Sequence, residues 1–288
     1  MEGFIRYMQA TAGMSTTSAY HYSLAVGDFV RWFEGSYGHK PSKLFRQNVE
    51  EYKAYLLNVK SQSAKTINFK LGALKKWNEY LVDQDGQKEI VIDKQMLIRI
   101  QREYASPAMF GVEAVNRLRQ ASLEYGSKRD YALVNLLAFT GLRISEALNL
   151  KLGDVHFESR ELVVRQGKMN KSRTVLLAEK VIVPLRDYLN SERNLYKTAN
   201  ESSYVFVSRL RSQLDRMTVN KLFRKYNKLA GLEGVTPHGL RHFCCSYLLE
   251  NGFNVHEVAY MAGHSNIHTT LLYTNPSRKA MLDKLNKF

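Results

Sequence analysis

The sequence predicts a mainly α-helical protein with a small β-sheet, divided into two domains. Three observations carry that expectation. Apolar residues recur at helical steps through most of the chain. One segment, "RELVVRQGKMNKSRTVLLA", breaks instead into two β-type runs around a polar tip. A polar stretch at 83–93, "DQDGQKEIVID", interrupts the helical rhythm and holds Gly86.

The N-terminal part reads as helices. In "STTSAYHYSLAVGDFVRWFEG", Ser15 is placed to cap a helix whose apolar stripe is Tyr22, Val26, Phe29 and Phe33. From Ser63, "SAKTINFKLGALKKWNEYLV" repeats the pattern with Ile67, Leu71, Leu74, Trp77 and Leu81. Its other faces carry Lys65, Asn68, Lys70, Lys75 and Lys76. These lysines fit a solvated surface and fit equally a face that tracks phosphates. A helical domain is expected over 1–90, a linker over 91–105 and a second, mixed domain over 106–288.

In that second part, residues 129–140 read as a buried helix stopped by Gly141, and "LRISEALNL" starts a new one. Residues 162–165 and 174–177 form the β-type runs, with a basic tip at 167–171 between them. Helical patterns return at 179–196, 216–230, 237–251 and 254–262. At the end, Leu282, Leu285 and Phe288 recur at steps of three, the mark of a short amphipathic helix that docks on its own domain or on a neighbour.

Forty-two Lys and Arg stand against 27 Asp and Glu, a net charge of +15. Such an excess points to a polyanion, either nucleic acid or an acidic membrane surface. The longest strongly apolar stretch, "YALVNLLAF" at 131–139, is too short to span a bilayer. The N-terminus, "MEGFIRYMQATAG", lacks the apolar run of a signal peptide. The two cysteines, Cys244 and Cys245, are adjacent and ill-suited to a structural disulfide, so a cytoplasmic setting is expected, with no membrane partner.

Candidate chemistry gathers in the second part. In "TPHGLRHFCCSYLLENGF", Thr236 is placed as a cap, Pro237 as the first helical residue and Gly252 as a terminator. His238 and Arg241 then share one face of the first turn, beside the positive end of the helix dipole, as an anion site requires. His238 and His242 are also spaced like metal ligands, but Gly239 stands where a zinc-protease helix needs glutamate. No metal or other cofactor is expected. Arg143, just beyond Gly141, reads either as an anion ligand or as half of a buried pair with Glu146. Lys168 and Lys171 lie on the hairpin tip, followed by Arg173. Asn254 and Glu257 are spaced as a capping box for a helix ending at Gly263, with His264 next. Tyr273, before "TNPS", reads by itself as a packing residue.

As an ordered set, "TGLRISEALNLKLGDV", "GKMNKSR" and "HGLRHFCCSYLLENGFNVHEVAYMAGHSNIHTTLLYT" resemble the tyrosine recombinases, or phage-type integrases, and among them the compact Xer-like members. The resemblance is close over 110–280 and weaker over 1–90, which is similar to the family's SAM-like core-binding domain. It implies a two-domain C-shaped clamp on DNA. It also implies that Arg143 and Arg241 hold a scissile phosphate and that Lys168, His238, His264 and Tyr273 complete the catalytic set, with Tyr273 as nucleophile. Lys65, Lys70, Lys75, Lys76, Lys171 and Arg173 would touch DNA. Gly239 replaces the Asp or other polar residue common in relatives, and "HFCC" replaces a run of "HSFA" type.

The implied partners are double-stranded DNA with paired inverted half-sites, three further copies of the chain in a tetramer on two sites, and accessory DNA-bending proteins or extra DNA sites. The implied setting is the cytoplasm and nucleoid, in a prokaryotic or mobile-element context. The residue types suit metal- and ATP-independent phosphoryl transfer. Guanidiniums stabilise a pentacoordinate phosphate, a base relieves the phenol of its proton, and an ammonium protonates the leaving oxygen. A type IB topoisomerase would use nearly the same residues, and a non-enzymatic DNA-binding regulator would explain the charge alone.

Overall fold

Ser15 caps a helix as its spacing predicts, and Ser63 caps another, accepting from the backbone N–H of Ser18 at 3.2 Å and of Thr66 at 3.3 Å. In this computed structural model, residues 1–100, 110–165, 172–264 and 267–271 are described. The chain divides into two compact units, Met1–Arg102 and Glu103–Phe288.

The first unit holds α1 (Glu2–Thr11), α2 (Thr16–Tyr37), α3 (Arg46–Ala54) and α4 (Ala64–Asp83), with wider π-type turns at Tyr55–Val59. Their apolar stripes meet in one core containing Phe4, Val26, Phe29, Tyr52, Ile67, Leu71 and Leu74. Each such side chain removed from water contributes roughly 1.5–3 kcal/mol.

Part of the expected linker belongs to this unit. The Asn78 amide donates to Glu89 O and accepts from Val91 N, while Asn68 makes the same two bonds with Ile98. Ile92 and Met96 are buried in the same core. The linker reading over 91–98 is thereby corrected. An asparagine amide has both donor and acceptor, so each one fastens an irregular backbone as a strand partner would.

The lysine face is also partly accounted for. Lys70 Nζ lies 2.8 Å from Asp28 on α2, with only 13% of its side chain exposed. Lys76 pairs with Glu79 at 2.6 Å, Lys75 is half-buried, and Lys65 stays exposed. Lys70 is therefore an interhelical pair, not an open phosphate contact, because the packing of α2 against α4 brings Asp28 to it.

The second unit is built around α6 (Lys128–Thr140), flanked by α5 (Val112–Tyr125), α8 (Glu179–Ser191) and α10 (Pro237–Glu250). Leu133, Leu136 and Leu137 of α6 are fully enclosed. A polar knot at its start is buried too: Arg129 donates twice to Asp130, which also accepts from Tyr226 Oη at 2.6 Å. The antiparallel sheet runs β1 (Val155–His156), β2 (Glu161–Arg165), β3 (Ser172–Leu176), in that order, with Val163 opposite Thr174. β1 is too short to leave a sequence signal.

The expected 179–196 helix ends early. Buried Arg193 donates to the carbonyls of Ala199, Ser202, Tyr204 and Val205, which draws the chain out of the helix. The short α7 (Ile144–Leu148), then α9 (Arg216–Leu229), α11 (Val255–Ala262) and α12 (His268–Leu271) complete the unit. Among the described residues, no helix is long and apolar enough to cross a membrane.

Candidate active site

The site grows from two helix ends. α6 stops at Gly141, whose φ of +64° is the left-handed conformation a side chain disfavours. Leu142 buries itself, and Arg143 follows as N-cap of α7. On α10, Thr236 Oγ1 accepts from Gly239 N at 3.0 Å and Pro237 opens the helix, as its sequence predicts. This start places His238 and Arg241 beside the Gly141 turn. Arg241 Nη1 donates to Gly141 O at 2.7 Å, so one turn launches the first arginine and anchors the second. Gly239 fits its place because a Cβ there would lie 2.8 Å from the Phe110 ring.

Arg241 is 3% exposed, yet among the described residues its Nη2 has no hydrogen-bond partner. Leaving a buried charged donor unmatched is costly. Burial and then neighbouring Arg143 pull its pKa below the usual guanidinium value, and the group still keeps its charge. Arg143, Ser145, Arg216, Asn220, His238 and Arg241 border one cleft of about 430 Å³. A cationic wall with an unmatched buried donor is suited to an anion.

Glu146 braces this wall. Its Oε2 accepts from Arg143 N at 2.9 Å and its Oε1 from Arg143 Nη1 at 2.8 Å. Arg173 adds a two-pronged bond, at 3.1 and 2.9 Å. Arg143 pairs with Glu146, as one of the two sequence readings has it, but the pair is not wholly buried: 45% of the Arg143 side chain stays exposed. Burial acts against the Glu146 charge. The bonds from Arg173 and Arg143 outweigh it and hold the carboxyl below its ordinary range.

Arg173 is a correction. It was expected to touch DNA, but it is 7% exposed, and its Nε donates to Met261 O at 3.0 Å. It ties β3 to α7 and α11, leaving no guanidinium edge for a phosphate. The tertiary position of Glu146, which the hairpin sequence does not disclose, decides this.

α11 carries the expected capping box, with Asn254 Oδ1 accepting from Glu257 N and Glu257 Oε2 from Asn254 N. Gly263 ends it at φ +67°, and a Cβ there would fall 2.5 Å from the Arg173 guanidinium. His264 comes next, half-buried, with Nδ1 2.7 Å from Thr270 Oγ1. Burial first, then Arg241, Arg143 and Arg173, push its pKa down to about 4. It is neutral at pH 7. His238 and His242 approach through their Nε2 atoms at 2.9 Å, with rings nearly perpendicular. Burial, then His238, lowers the pKa of His242. Two nitrogens at that distance share one proton, not two.

Arg143, Arg241, His238 and His264 are thus brought to one place. Lys168, Lys171 and Tyr273 lie outside the described residues. Among those described, no group of three or more His, Cys, Asp or Glu is placed to hold a metal. The sequence reading did not single out Arg216, Asn220 or Thr270; the first two stand in no distinctive motif, while Thr270 lies within the quoted segment that runs from His264 to Tyr273. Cys244 and Cys245 are buried and unpaired, and Cys245 packs with Val258 and Ala262.

Comparison with known proteins places this arrangement. Residues 110–280 match the phage integrase family, and residues 1–88 match its N-terminal SAM-like domain. The chain is 47% identical over 264 residues to the TnP I resolvase of Bacillus thuringiensis, covering 92% of this chain and 91% of the relative. The crystal structure of XerA recombinase superposes with a TM-score of 0.57 at 28% identity, covering 99% of this chain and 96% of that one. The XerH recombinase bound to palindromic difH, a post-cleavage complex, superposes at 0.77 with 20% identity, covering 98% and 82%.

Proposed function

The chain belongs to the phage integrase family of tyrosine recombinases, and on that footing we propose that it breaks and rejoins DNA at specific sites through a phosphotyrosyl link at Tyr273. The observation that carries this reading is buried Arg241, with its unmatched Nη2 beside Arg143 in the same cleft. The two guanidiniums would hold the non-bridging oxygens of the scissile phosphate and stabilise the charge gathered in the transition state. His264, neutral at pH 7, would donate to the same group.

In the cleavage step the Tyr273 oxygen attacks phosphorus, and the bond to the 5′-oxygen breaks. His238 takes the phenol proton, and Lys168 gives one to the leaving oxygen. The phosphotyrosyl bond keeps the energy of the broken ester. Attack by a 5′-hydroxyl of another strand then reverses the step without ATP. Charge on the phosphate is met by Arg143, Arg241 and Lys168, so no metal is needed.

The substrate is double-stranded DNA carrying paired inverted half-sites. A homotetramer holds two such sites, each half-site bound by both domains of one chain, assisted by accessory DNA-bending proteins or further DNA sites. The setting is the cytoplasm, and the tasks are integration, excision or resolution of a mobile element or replicon. Lys65 and Lys171 remain the DNA contacts of choice from the lysine set, with Lys75 and Lys76 at the margin.

The test is strand exchange on a plasmid carrying two copies of the site. A recombinase converts it into two circles or an inverted circle. Relaxation of supercoils without exchange would assign the chain to topoisomerase chemistry instead. Binding with neither outcome would make it a regulator.

A further inference from the structure

Thr270 is fully buried on α12, and its hydroxyl lies 2.7 Å from His264 Nδ1. Its backbone N–H is already used, donating to Ile267 O at 2.8 Å. Among the described residues, His264 Nδ1 is the one partner of the hydroxyl.

A hydroxyl carries one proton to give and lone pairs to receive. Enclosed, with that one partner among the described residues, it is best satisfied by donating, because the opposite direction strands its proton away from water. An Nδ1 that accepts carries no hydrogen. Burial, and then the charges of Arg241, Arg143 and Arg173, disfavour a second proton on the ring. A neutral imidazole with bare Nδ1 has its one hydrogen on Nε2.

We propose that Thr270 is a positioning residue that fixes His264 as the Nε2–H tautomer, making it a hydrogen-bond donor to the phosphoryl group and not a base. Thr270 lies three residues before Tyr273. The same hydroxyl therefore ties the orientation of this donor to the segment leading into the nucleophile. The inference rests on the functional reading above, which gives His264 a phosphate to face.

The test pairs Thr270→Val, which keeps shape and loses the hydroxyl, with Thr270→Ser, which keeps the hydroxyl. Long-range ¹H–¹⁵N NMR of the full chain without DNA at pH 7 reads the His264 tautomer directly. The wild type and Thr270→Ser are expected to show Nε2–H, and Thr270→Val a mixture of tautomers. With a nicked DNA substrate, covalent adduct formation should slow roughly 10–100-fold in Thr270→Val, by analogy with the loss of a partner that orients a metal-bound histidine, and stay within about 3-fold in Thr270→Ser.

A wild-type spectrum showing Nδ1–H overturns the proposal even if the Val variant fails to fold. An unchanged tautomer and rate in Thr270→Val overturns it equally. If the wild type forms no adduct, the functional reading fails, while the NMR result still decides the tautomer.

Discussion

Replacing Glu146 by Gln removes one charge and almost no volume, and the structure sets the cost. Each carboxylate oxygen accepts two hydrogen bonds: Oε1 from Arg143 Nη1 and Arg173 Nη1, Oε2 from Arg143 N and Arg173 Nη2. Whichever way the new amide sits, its NH₂ faces two N–H donors. Two charge-assisted bonds are lost, and Arg173, with a side chain 6% exposed, keeps a buried charge without a full counter-charge. Arg241 Nη1, 4.0 Å from Oε2, loses the same partner. Hydrogen bonds to charged groups contribute about 1.5–3 kcal/mol each, and breaking a buried ion pair from one side costs about 3–5 kcal/mol. We expect Glu146→Gln to destabilise the protein by ~3–5 kcal/mol in urea unfolding followed by circular dichroism. The pH dependence gives an independent check. The Glu146 carboxyl sits below its ordinary range in the folded protein, so its contribution is present above the unfolded carboxylate pKa. That contribution is lost as pH falls through the folded value. Glu146→Gln should lack this part of the acid sensitivity. A loss under ~1 kcal/mol, or an unchanged acid profile, would refute the idea that Glu146 braces the arginine wall.

Gly263→Ala should cost about 1–2 kcal/mol for a left-handed residue, and more because its Cβ meets Arg173. A midpoint shift in urea unfolding worth under ~0.5 kcal/mol would contradict that packing. His264 gives a second pH effect of definite sign. Its folded pKa is about 4 against roughly 6.5 unfolded, so the unfolded chain binds more protons between those values. Stability should fall as pH drops from 6.5 towards 4, and His264→Gln should flatten that window in the same urea titration. An identical slope in the variant would remove His264 as its source. Arg241→Ala should slow adduct formation on nicked DNA by roughly 10²–10³-fold, and Arg241→Lys should not restore it. One ammonium lacks the planar fork needed to keep the Gly141 bond and also reach a phosphate. Full activity in the lysine variant would show that geometry is not what Arg241 supplies.

The features legible in sequence are the local ones. Thr236 with Pro237, Asn254 with Glu257, and the glycines at 141 and 263 act within a few residues of themselves, and each does in the structure what its spacing predicts. The placement of His238 and Arg241 follows from that first turn. What sequence could not disclose depends on distant partners. Arg173, in a basic hairpin, looks like a phosphate contact until Glu146, 27 positions away, comes beside it. Lys70 looks solvated until α2 brings Asp28, 42 positions away. Residues 91–98 read as a linker because the amides that fasten this stretch, half-buried Asn68 and fully buried Asn78, come from another part of the chain. Thr270 lies in the segment that carries the resemblance, yet only the folded chain brings its hydroxyl beside His264.

The most direct measurement of the Tyr273 assignment is a denaturing gel of the purified protein incubated with site DNA nicked just beyond the cleavage point. Such a nick lets the 5′-end diffuse away and traps a covalent intermediate. The wild type should give a protein–DNA band whose digest carries the phosphate on the Tyr273 peptide, and Tyr273→Phe should bind the same DNA and give none. A band that persists in Tyr273→Phe, or a phosphate mapped to another residue, would contradict the assignment outright.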